Sequence, residues 1–132
     1  MKMKMALLIL PALFLFGCSA TMMIGSKVMG ISSGKFIYQD GYMTTQYKAD
    51  VEPVWQACEK AIKDLKGWDI QKDRRITGGS LKAVISDEKI TIRVEYIEKD
   101  LTSVAILAGV AGNRFAAGLI HERIVANLAP TQ

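Results

Sequence analysis

The chain carries a single histidine, His121, and two cysteines, Cys18 and Cys58, in 132 residues. That scarcity leaves no zinc site built on His and Cys spacing, and no CxxC occurs. Phosphate-cradling glycine patterns are missing too. Gly78-Gly79 and the pair Gly109 and Gly112 are too sparse for one and read as turns. No metal and no cofactor is therefore expected. Long apolar runs are also absent. MALLILPALFLF, Met5 to Phe16, is twelve residues, whereas a bilayer span takes roughly 20. Pro11 in its middle would kink a structural helix.

What surrounds that run explains it. MKMK precedes it, with Lys2 and Lys4 and no acid, and LFGCSA closes it. A membrane span, a core helix and a processing site compete for this layout. A basic start, a short apolar middle and a small-residue exit describe a secretory signal. No A-x-A-like site follows. Instead Leu15-Phe16-Gly17-Cys18 resembles the lipobox of bacterial lipoproteins, with Phe16 bulkier than usual. The resemblance implies cleavage between Gly17 and Cys18. It also implies a diacylglyceryl group on the Cys18 thiol and a further, palmitate-class acyl group on the new amine. One such chain binds membranes only marginally, so two or three on one residue make a lasting anchor. Ser19 stands where Asp would resemble an inner-membrane retention signal. In a cell with two membranes the expected address is the outer membrane, with the domain facing the periplasm.

Cleavage changes the charge. Removing residues 1–17 takes away Lys2 and Lys4, and the formal charge falls from +4 to +2. Nucleic acid is then not an expected partner. The densest basic stretch, KDRR at Lys72–Arg75, reads as a solvated turn rather than an anionic-lipid contact. Residues 18–35, rich in Gly, Ser and Met, read as the acylated Cys and its tether, and residues 36–130 as one domain.

Within that domain, FIYQDGYMTTQY is rich in aromatics and Thr. Asp40-Gly41 allows a hairpin turn or a bulge, and one strand from near Gly41 is preferred because hairpin arms would be very short. ADVEPVWQACEKAIKDLKGW is the clearest element. Val51, Val54, Trp55, Cys58, Ala61, Ile62 and Leu65 recur at helical spacing. Asp50 is the expected cap, Gly67 the stop, and Trp68 folds back on the last turn. Four strand-like runs follow: WDIQKD, SLKAVIS, KITIRVEYI and LTSVAILAGV. The last three make an antiparallel meander. Ile90, Ile92, Val94 and Tyr96 face one way. Lys82, Arg93, Glu95 and Ser103 line a wet face. NRFAAGLIHERIVANL is a second helix, capped by Asn113, with Ala117, Ile120, Ile124 and Leu128 as its stripe. The order β-α-β-β-β-β-α predicts an α+β two-layer sandwich, an antiparallel sheet of about five strands with both helices on one face.

Two segments, GYMTTQYKADVEPVWQACEKAI and TSVAILAGVAGNRFAAGLIHERI, resemble a family of small bacterial lipoproteins catalogued as domain-of-unknown-function family 3568. Tyr42, Thr44, Thr45, Val54, Trp55 and Ala57 match its first half. Thr102, Ile106, Gly109 and Gly112 fit the second, with Val110 out of step. Asn113 stands where Asp is commoner in the family, and Ala117 where Ser is. The family has no assigned activity, so no catalytic residue is carried over.

Function is then bounded rather than read. The expectation is a non-enzymatic envelope lipoprotein, an interaction or structural module held by lipid on Cys18, with an unidentified envelope protein as its possible partner. The alternatives are a periplasmic thiol-dependent hydrolase using Cys58 and His121, and a carrier of a small apolar ligand between helices and sheet. Cys58 falls on the stripe that its helix must bury, which favours packing over nucleophilic chemistry.

Overall fold

The computed structural model describes residues 36–128. Cys18, the expected Gly17–Cys18 cleavage site and the expected tether lie outside the described residues. Six strands form one antiparallel sheet: β1 Ile37–Gln39, β2 Tyr42–Tyr47, β3 Trp68–Arg75, β4 Gly78–Ile85, β5 Glu88–Glu98 and β6 Leu101–Ala108. Two helices, α1 Val51–Asp64 and α2 Arg114–Leu128, complete the fold. Spatial order is β1-β2-β6-β5-β4-β3. The chain leaves β2 through α1, crosses to the far edge at β3, and returns by hairpins until β6 pairs with β2.

Both helices lie on one sheet face, α1 over β4, β5 and β6 and α2 over β6 and β2, and they pack on each other. The core they close is apolar: Leu81, Ile92, Val94, Val104 and Ile106 from the sheet meet Val54, Cys58, Ala61 and Ile62 of α1 and Ile124 of α2. Each large aliphatic side chain so buried contributes roughly 1.5–3 kcal/mol. That is enough to hold a helix whose isolated stability is marginal.

The expected two-layer α+β sandwich is present, with six strands instead of about five. The extra strand comes from FIYQDGYMTTQY, which is a hairpin. Asp40 and Gly41 both have positive φ, +53° and +81°, the pair that a two-residue turn needs to match strand twist. Three residue pairs, Ile37–Thr44, Tyr38–Met43 and Gln39–Tyr42, suffice because α2 supports the short arm. Arg114 lies 4.1 Å over the Tyr38 ring, and Phe36 packs on His121 with ring centroids 5.1 Å apart. Gly112 meets the turn so closely that a Cβ there would stand 2.6 Å from the Gly41 carbonyl oxygen.

KDRR is also reassigned. Lys72–Arg75 ends strand β3 and is not a turn. Alternate residues of a strand share a face, so Lys72 and Arg74 both point toward α1. Lys72 pairs with Glu59, and Arg74 reaches Glu52 at 2.9 Å while lying over the Trp55 ring. These contacts hold the sheet's far edge to the helix. A bulge near Asp69, together with the charged side chains, protects that edge from pairing with another strand.

Helix ends differ in detail. Asp50 precedes α1 but makes no side-chain cap. Its Oδ1 accepts the Asp100 N–H at 2.9 Å and ties the β5–β6 turn to the helix start. At the other end Lys66, not Gly67, takes the left-handed conformation (φ +59°), and the Gly67 N–H donates to the Ile62 carbonyl at 2.8 Å. Trp68 is exposed rather than folded on the last turn. Asn113 caps α2 as expected, its Oδ1 accepting the Ala116 N–H at 3.1 Å.

Candidate functional site

Cys58 and His121 are the domain's candidates for chemistry, and the fold buries both. Cys58 sits in the middle of the α1 stripe and is inaccessible. Burial pushes its thiol well above the ordinary range, and the Glu59 carboxylate adds to the rise. A thiol in that state is a small hydrophobe, not a nucleophile.

His121 lies one position off the apolar stripe of α2, yet it is also buried. Its Nε2 is 2.8 Å from the Met43 carbonyl oxygen. A carbonyl only accepts, so Nε2 carries the proton. Nδ1 is then a lone pair, and the Tyr47 hydroxyl, 2.7 Å away, donates to it. Burial lowers the imidazole's pKa to about 4, against a smaller opposing effect of the Met43 hydrogen bond. The ring is therefore neutral near pH 7. Tyr47 is also fully buried, and its hydroxyl is held far above its ordinary pKa by burial, with Cys58 adding to the rise.

The structure thus pairs His121 with Tyr47 and Met43, not with Cys58. Sequence reading missed Tyr47, although the hydroxyl of a buried tyrosine needs a partner. Both imidazole nitrogens are spent on bonds between α2 and β2. The arrangement pins a helix to a sheet.

The wet face is as expected at Lys82, Arg93 and Glu95, which are exposed, and at Ser103, which is half-buried. Tyr96, expected on the apolar side, is largely exposed near the β5–β6 turn. Arg93 lies 4.5 Å over the Tyr42 ring. An open groove of about 450 Å³ runs along the sheet beside Asp73, Arg75, Ser80, Arg93, Glu95 and Tyr96. Its charges are mixed, and Arg75 is paired with Asp73 at 3.2 Å. Among the described residues no group of three or more His, Cys, Asp or Glu could hold a metal ion. No described helix is long and apolar enough to cross a membrane.

The model of a protein family of unknown function, DUF3568, matches residues 2–127. The chain belongs to this family. The match runs through the whole DUF3568 domain, from β1 to the last turn of α2, and extends back across the N-terminal segment. No curated protein matches the chain. The family-like positions of this DUF3568 chain fall at structural joints. Thr102 donates its hydroxyl to the Ala49 carbonyl at 2.7 Å, Trp55 underlies Arg74, and Gly112 meets the hairpin turn.

Proposed function

We propose that this DUF3568 protein is a lipoprotein of the bacterial envelope, anchored through acyl chains on Cys18. It acts there as a non-enzymatic interaction or structural module, at the outer membrane by virtue of Ser19. The observation that carries the reading is the LFGC tetrad closing a twelve-residue apolar run behind MKMK. The state of the domain's candidate nucleophile and base supports the non-enzymatic part. Cys58 is buried and protonated, and both nitrogens of His121 are engaged. Catalysis needs perturbed groups that converge on a reachable point. The space between helices and sheet, where a small apolar ligand would sit, is filled by core side chains.

Intact mass of the protein purified from membranes is the test. Loss of residues 1–17 and added acyl mass on Cys18 are expected, and Cys18→Ser should give an uncleaved or soluble product. A wild-type mass without acyl addition overturns the reading.

A further inference from the structure

The outer surface of α2 and the turn before it carry exposed apolar side chains that no other described residue covers. Val110 is 100% exposed and Phe115 77% exposed, and Leu119, one turn further along α2, is 45% exposed. Tyr38 of β1 adjoins them through Arg114, whose guanidinium lies over its ring. Together they mark the corner where the β1–β2 hairpin meets the start of α2, beside a shallow hollow lined by Tyr38, Asp40 and Arg114. From Val110 to Leu119 the sequence is VAGNRFAAGL, and Arg114 is its only charge. An arginine beside aromatic and aliphatic tips suits the headgroup level of an anionic bilayer.

We propose that this corner docks on the membrane surface, with Val110, Phe115 and Leu119 in the interface and Arg114 against lipid phosphates. The inference rests on the Cys18 anchor proposed above. Where the chain enters the domain favours this corner. Phe36 leads into β1, two residues before Tyr38, so the chain joins the domain beside this corner, although its fully extended reach from Cys18, roughly 60 Å, spans the whole sheet. The other exposed apolar corner, Ile76 with Tyr96 and Ile97, belongs to the opposite side of the sheet. Its β3–β4 hairpin is five strand spacings from β1, about 24 Å. Charge does not separate the two corners: Arg74 and Arg75 precede Ile76 and Lys99 follows Ile97, among the acidic Glu95, Glu98 and Asp100.

The test uses the full acylated protein in vesicles of phosphatidylethanolamine and phosphatidylglycerol containing spin-labelled lipid. Val110→Cys and, separately, Ile76→Cys are labelled with an environment-sensitive fluorophore, the buried Cys58 being protected in the native fold. Quenching at position 110 should exceed that at position 76 severalfold, and Arg114→Glu should reduce it. Equal quenching, or stronger quenching at 76, overturns the docking. Intact mass separates the two failures. Acylated protein without preferential quenching at 110 removes the docked orientation alone, whereas protein without acyl mass removes the anchor and the docking together.

Discussion

The Tyr47 hydroxyl donates to Nδ1 of His121 at 2.7 Å across 74 positions of sequence, with both side chains out of contact with water. The pair joins β2 to α2, and the Met43 carbonyl, four residues earlier on the same strand, completes it. Tyr47→Phe would leave the imidazole lone pair unpaired inside the core. An unsatisfied buried acceptor costs about 1–3 kcal/mol. Urea unfolding of Tyr47→Phe should show that loss, and an unchanged midpoint would mean that the bond contributes nothing.

Acid should destabilise the domain through His121. Its pKa is about 4 in the folded state, against 6.5 for an unperturbed histidine. Between these values the unfolded chain binds a proton that the folded chain refuses. Stability therefore falls as pH drops from 6.5 toward 4, by about 3 kcal/mol across the window. Above pH 6.5 this contribution is fully present. Unfolding midpoints collected across that range should slope downward toward acid, and His121→Gln should flatten the slope. The imidazole carbon resonances of the wild type should titrate near pH 4; titration near 6.5 would refute the assignment.

Thiol reagents should label Cys58 slowly in the folded protein and fast in denaturant. Cys58→Ala removes a small buried volume and should cost roughly 1 kcal/mol. Rapid labelling of the native protein, with a pH midpoint below about 8, would show a reactive thiol and restore the hydrolase alternative.

Gly79→Ala should be among the most damaging single substitutions. The added Cβ would stand 2.2 Å from the Asp73 carbonyl oxygen and 3.0 Å from the Trp55 ring, at a backbone φ of +148°. Strain and overpacking together should cost at least about 2 kcal/mol. The loss would appear as a lowered melting temperature, with the Arg74–Trp55 stacking disturbed. A melting temperature equal to wild type would mean that β3 and β4 can separate freely at this point.

Local sequence settled those elements whose own pattern is long enough to show a period. The stripe from Val51 to Ile62 placed Cys58 in the core before any fold was known, because fourteen helical residues present one apolar side several times over. The alternation Ile90, Ile92, Val94 oriented β5 for the same reason, and the meander followed from its short polar turns. The lipobox resemblance likewise needs only the order of residues along the chain. Tertiary structure decided the rest. A three-residue strand has no period to read, and β1 exists because α2, some 75 residues later, supplies Arg114 and His121 against it. KDRR stays solvent-exposed as its composition suggests, but it reads as a turn until β4 pairs with it and α1 places Glu52 and Glu59 opposite its alternate side chains. His121 falls beside its helix's apolar stripe, and a polar ring there belongs in water unless both nitrogens find partners. Whether they do depends on which strand lies under the helix, which no local pattern of α2 specifies.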